Sequence, residues 1–133
     1  MRILIIEDSD SIRHMIETFV AARGHEVDAV STGAKGIDSA ITRPPDAILL
    51  DLPLSGSFDG YDVCRKLREN AATQGVPIIV ISSLTDSASK QAALEAGATA
   101  YYTKPFSPTA LLKELESIPG RGPSRLSGKQ RVR

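Results

Sequence analysis

The sequence has few of the residues from which disulfides, thiolate clusters and histidine metal sites are made. It holds one cysteine, Cys64, and two histidines, His14 and His25. A lone cysteine can form no internal disulfide and has no second thiolate with which to share a metal, so Cys64 reads as buried core filler. Neither histidine has a partner at ligand spacing, and both read as structural or solvated. No apolar run approaches the ~18 to 20 residues that a membrane span requires. Met1-Arg2 leads into only four apolar residues, Ile3 to Ile6, before Glu7-Asp8, which is not the pattern of a secretory signal. A cytoplasmic protein is expected.

Net charge is also lacking, but the formal zero hides a boundary. Residues 1–118 carry 11 Lys+Arg against 16 Asp+Glu, whereas residues 119–133 carry five basic residues and no acid. The last stretch, Pro119 to Arg133, is rich in Gly, Pro and Ser, lacks apolar periodicity, and reads as a basic flexible tail or linker. With 133 residues, 41% of them hydrophobic, the chain is long enough for one core and too short for two of ordinary size. One domain is expected over 1–118.

What is present is a strict alternation of two periodicities. Arg2 to Ile6 is a β-branched run that ends in Glu7-Asp8, and Ile12, Met15, Ile16, Phe19 and Val20 then follow at helical spacing up to Gly24. Glu26 to Val30 reads as a short strand, and Ala34, Ile37, Ala40 and Ile41 as a helix stopped by Pro44-Pro45. Asp46 to Asp51 reads as a strand whose core, Ala47 to Leu50, is an unbroken apolar run delivering the carboxylate of Asp51, and a helix carrying Val63, Cys64 and Leu67 follows. Pro77 to Ser82 is another such run, ending in a hydroxyl, and a small-residue helix from about Asp86 to Ala96 stops at Gly97. Ala100 to Thr103 is a short strand leading to Lys104-Pro105. Ser107-Pro108 then starts a helix with Leu111, Leu112, Leu115 and Ile118 on its apolar face.

Five strands alternating with five helices imply an α/β fold, a doubly wound parallel sheet with helices on both faces. In such sheets ligands bind outside the carboxyl ends of the strands. The residues at those ends are Glu7 and Asp8, Asp51, Ser82 and Lys104. Clustered carboxylates repel one another unless a cation lies between them, and Mg²⁺ accepts oxygen ligands while sharing itself with a phosphate. A carboxylate can also attack phosphorus and become an aspartyl phosphate, a reaction that needs mainly positioning and charge neutralisation. Lys104 would supply a point charge and Ser82 a hydrogen bond.

Six segments together resemble the receiver domain of bacterial two-component response regulators. They are Ile5-Ile6-Glu7-Asp8-Ser9, Ile48-Leu49-Leu50-Asp51-Leu52, Asp59 to Arg68, Pro77 to Ser83, Gly97 to Tyr101, and Lys104-Pro105-Phe106. The resemblance implies a flavodoxin-like receiver fold with strand order 2-1-3-4-5. It implies that Asp51 is the phosphoacceptor, receiving its phosphoryl group from a histidine kinase or phosphotransfer protein. It further implies a Mg²⁺ cofactor held by Glu7, Asp8, Asp51 and the backbone carbonyl of Pro53. Lys104 and Ser82 would bind the phosphoryl group, and Ser82 and Tyr101 would form the switch. The family also forms homodimers through the face of the fourth helix, fifth strand and fifth helix. The expected product is a signalling switch that catalyses its own phosphorylation and dephosphorylation rather than an enzyme acting on other substrates.

One departure from the family pattern stands out. Pro53 comes two residues after Asp51 instead of four, and Asp59-Gly60 come eight and nine after it instead of seven and eight. The loop is one residue longer, with Ser55-Gly56-Ser57 in its middle, and a changed autodephosphorylation rate or phosphatase access is expected. Rival readings fit less well. An aspartyl phosphatase would need a second acid where Pro53 stands, and a flavin module would need a Ser/Thr/Gly-rich loop where Glu7-Asp8-Ser9-Asp10-Ser11 stands. An unphosphorylated receiver-like interaction module would not need the acids, Ser82 and Lys104. The basic tail is followed by no helix-turn-helix, so direct nucleic-acid binding by this chain is not expected.

Overall fold

Residues 3–6, 47–50 and 78–81 are apolar at every position because helices cover both faces of the strands they form. The computed structural model describes residues 1–52 and 59–117. The elements run β1 (Arg2–Ile6), α1 (Asp10–Ala21), β2 (Glu26–Val30), α2 (Gly33–Thr42), β3 (Ala47–Asp51), α3 (Gly60–Glu69), β4 (Ile78–Ser82), α4 (Ser87–Ala96), β5 (Ala100–Thr103) and α5 (Pro108–Glu116). All strand pairs are parallel, in the order β2-β1-β3-β4-β5. The expected fold and strand order are therefore observed. Pro53, the longer loop, Ile118 and the tail 119–133, for which the sequence carries expectations, lie outside the described residues.

Alternation along each strand divides the core in two. Leu4, Ile6, Ile48, Leu50, Ile78 and Val80 meet α2, α3 and α4 through Ala40, Val63, Cys64, Leu67, Ala93 and Ala96. On the other face, Ile3, Ile5, Leu49, Ile79 and Ile81 meet Ile16 and Val20 of α1 and Leu111, Leu112 and Leu115 of α5. Cys64 is a free thiol buried in the first cluster, as its sequence context suggests. Burial pushes that thiol up to about 11, so it stays protonated and unreactive near neutral pH.

Helix faces depart from the periodic reading in two places. On α1 only Ile16 and Val20 are buried, whereas Met15 is 49% and Phe19 37% exposed. On α2 the buried residues are Gly33, Gly36 and Ala40, while Ala34 and Ile41 face outward. Gly36 explains the second case: a Cβ there would lie 2.3 Å from Ile6 Cδ1, so the helix seats its glycine side on β1. Helix starts follow the local chemistry. Ser9, Thr32, Asp59, Asp86 and Ser107 each cap a helix through a side-chain oxygen, and Gly97, at φ 121°, closes α4. Among the described residues no helix is long and apolar enough to cross a membrane.

Candidate functional site

Register brings the acids together. Ile6 pairs with Leu50 across β1 and β3, so the next residues, Glu7 and Asp51, meet at the carboxyl edge of the sheet. Glu7 is 3% and Asp51 2% exposed, unusual burial for two carboxylates side by side. On the far side, Ser82 pairs with Thr103, and the Lys104 N–H donates to the Ser82 carbonyl at 2.7 Å, extending β5 by one residue. That extension delivers the Lys104 ammonium to Asp51 Oδ1 at 2.5 Å and to the Leu52 carbonyl at 3.1 Å.

The charge at this edge is incompletely answered. Glu7 Oε2 accepts the Ser9 N–H at 2.7 Å, but Glu7 Oε1 and Asp51 Oδ2 are buried without a hydrogen-bond donor among the described residues. Two carboxylates have no donor between them unless one carries a proton. Burial, reinforced by Asp51 and Asp8 close by, pushes the Glu7 carboxyl up to about 8, so in the metal-free chain Glu7 supplies that proton near neutral pH. Asp8 is half-buried and borders Glu7.

Ser82 and Tyr101 do not touch Asp51 through any hydrogen bond among the described residues; they share Leu84 instead. The Leu84 N–H donates to Ser82 Oγ at 3.1 Å, and the Tyr101 hydroxyl donates to the Leu84 carbonyl at 2.7 Å. Ser82 is 1% exposed, while Leu84 in the following loop is 51% exposed. Glu7, Asp51 and Lys104 thus form one contact cluster, with Asp8 at its rim. Ser82 and Tyr101 form a second arrangement beside it. Pro53 lies outside the described residues.

The buried, donor-poor oxygens of Glu7 and Asp51 suit a hard cation. Among the described residues no three Asp, Glu, His or Cys side chains form a ready-made metal cage. Mg²⁺ does not require one, because it keeps several waters and typically takes one or two carboxylates. The residues present therefore fit the ion.

Sequence reasoning missed three groups that shape this edge: the Ser9 N–H, the Leu52 carbonyl and Arg13. Backbone groups leave no trace in residue identity. Arg13 does leave one, since a cation in the first turns of a helix opposes the helix dipole and needs a local reason to be there.

Comparison with known proteins places the fold in a family. A family model described as the response regulator receiver domain matches residues 3–116. The response regulator ArlR of Staphylococcus aureus is 36% identical over 124 residues, which is 93% of this chain and 55% of ArlR. The chain thus spans about half the length of the curated relatives it matches. Among solved structures, the receiver domain of the sensor histidine kinase PA1611 from Pseudomonas aeruginosa superposes with a TM-score of 0.81 at 31% identity, covering 88% of this chain and 95% of that one. That structure holds a magnesium ion coordinated in its active site cleft. The chemotaxis protein CheY4 of Vibrio cholerae gives a TM-score of 0.81 at 28% identity, covering 88% of this chain and 97% of that one.

Proposed function

The chain belongs to the response regulator receiver domain family, and from that premise we propose that Asp51 accepts a phosphoryl group from a phosphohistidine donor in a Mg²⁺-dependent step. The observation that carries this reading is the burial of the Glu7 and Asp51 carboxylates side by side, with no donor reaching Glu7 Oε1 or Asp51 Oδ2 from any other described residue, beside a fixed ammonium. In the transfer, an Asp51 oxygen forms a bond to phosphorus as the bond from phosphorus to the donor imidazole breaks, and the imidazole leaves with the electron pair. Lys104 binds the arriving phosphoryl oxygens and offsets their charge, a role suited to a compact ammonium. Glu7, Asp8 and Asp51, with the Pro53 carbonyl, would hold Mg²⁺, which when bound supplies further charge neutralisation to the transferring group.

After transfer the Ser82 hydroxyl donates to the phosphate. Its oxygen now accepts from Leu84, whose carbonyl Tyr101 holds, so turning Ser82 disturbs both grips on one loop. Tyr101 then moves inward against the α3 and α4 side of the core, where it already packs in part. The output is a changed α4–β5–α5 face, which would also pair two copies as a homodimer. The chain acts as a switch on itself rather than as an enzyme on other substrates. It works in the cytoplasm with a histidine kinase or phosphotransfer protein, and does not bind nucleic acid directly. A cleft of about 470 Å³ lined by Ile12, Met15, Asp51, Lys104, Phe106 and Pro108 gives a protein donor an apolar seat beside the acceptor.

The test is intact mass after incubation with acetyl phosphate, with Mg²⁺ and with EDTA. Uptake of one labile phosphoryl group only with Mg²⁺ supports the reading. No uptake from acetyl phosphate or from a phosphorylated histidine-kinase domain, with the fold intact, leaves the receiver-like interaction module as the function.

A further inference from the structure

Arg13 sits where helix electrostatics disfavours it, one turn into α1 and beside an acidic sheet edge that a cation is expected to occupy. Its side chain is only 20% exposed. One guanidinium nitrogen donates to the backbone carbonyl of Glu7 at 2.9 Å, and the other to Asp10 Oδ1 at 2.5 Å. The Glu7 carbonyl belongs to the peptide that joins Glu7 to Asp8, so the contact grips the link between two carboxylates proposed to hold the metal. The Glu7 carboxylate is gripped from its other end, because the Ser9 N–H fixes Glu7 Oε2 while Ser9 Oγ caps α1 through the Ile12 N–H.

We infer that Arg13 is a positioning residue for the cation site: it sets the plane of the Glu7–Asp8 peptide and through it the mutual aim of the two carboxylates. The inference rests on the proposed Mg²⁺ reading and adds to it a residue that touches neither ion nor phosphoryl group. A planar fork with several fixed donors is suited to this task, because it reaches a carbonyl and a carboxylate at once. Asp10 has the complementary part. A bare guanidinium this near the site would repel a divalent ion, and the Asp10 carboxylate against it cancels that charge. The pair provides geometry without adding net charge.

This division of roles gives the test a sign. Removing a positive charge beside an acidic site tightens cation binding if charge alone matters. If Arg13 positions the carboxylates, its removal weakens binding, by about tenfold as for other groups that orient metal ligands. Mg²⁺ dissociation constants would be measured by isothermal titration calorimetry for wild type, Arg13→Met and Arg13→Lys, with thermal unfolding as the check on fold. We expect Arg13→Met about tenfold weaker than wild type and Arg13→Lys between them, since lysine keeps the charge but lacks the planar fork that meets both acceptors in a fixed geometry. A folded Arg13→Met chain that binds Mg²⁺ as tightly as wild type, or more tightly, overturns the inference. If Arg13→Met does not fold, an Arg13→Lys chain with unchanged affinity overturns it. Wild type binding no Mg²⁺ would overturn the metal reading itself, and the role of Arg13 with it.

Discussion

The Lys104 ammonium stands 2.5 Å from Asp51 Oδ1, and it is the cation that answers the buried aspartate in the metal-free chain. Both residues are held from strand ends, Asp51 by β3 and Lys104 by the 2.7 Å bond of its own N–H to Ser82. The ammonium therefore reaches the acceptor through backbone pairing, and its side chain spans from β5 to the mouth of β3. The same charge that steadies Asp51 before transfer is the one positioned to meet the phosphoryl oxygens afterwards.

That double use separates two effects of one substitution. Lys104→Met removes a cation that competes with Mg²⁺ for Asp51, so Mg²⁺ affinity should rise. It also removes the charge that meets the transferring group, so phosphorylation should slow by about a hundredfold, as when one charge-stabilising donor is lost. Calorimetry and a time course of phosphoryl uptake check the two directions; affinity and rate falling together would contradict the assignment.

Glu7 makes stability depend on pH in an uncommon direction for an acid. Its carboxyl is raised from 4.5 to about 8, by burial first and by Asp51 next. Between those values the folded chain holds a proton that the unfolded chain has released, so folding stability of the metal-free protein falls as pH rises through that window. Urea unfolding in EDTA from about pH 5 to about pH 9 reads the slope, and Glu7→Gln should flatten it. Mg²⁺ binding to the wild type should release protons on the acid side of that upper value and strengthen as pH approaches it.

Arg68 is expected to matter for stability and not for chemistry. Its guanidinium donates to the carbonyls of Gly97 at 2.9 Å and Val76 at 2.6 Å, with further bonds to Gln74 and Thr99. It thereby ties the end of α3 to the approaches of β4 and β5. Arg68→Ala should cost about 2–3 kcal/mol, because several buried or half-buried carbonyls lose their donor. The urea midpoint checks it, and phosphoryl uptake by the folded fraction should be unchanged.

These residues show what sequence pattern carries and what it does not. The runs ending in Asp51 and Ser82 were legible because a parallel strand covered on both faces is apolar throughout and its last residue must be an edge residue. The α5 start was legible from Ser107-Pro108, whose capping chemistry is local. The seat of α2 was not, because its contact is made by Gly36, which adds nothing to a hydrophobic periodicity. Met15 and Phe19 fit the period of α1 and yet face outward, Met15 lining the cleft beside Asp51. The parts played by Arg13 and Arg68 left no sign in the sequence, because each donates to backbone carbonyls, which no side-chain pattern encodes.

The most direct measurement is the intact mass of wild type and Asp51→Asn after exposure to acetyl phosphate and Mg²⁺, with circular dichroism showing both folded. We expect wild type to gain one phosphoryl group that alkali or hydroxylamine removes, and Asp51→Asn to gain none while still folding. Equal uptake by the two chains would place the phosphoryl group on another residue and contradict the assignment of Asp51.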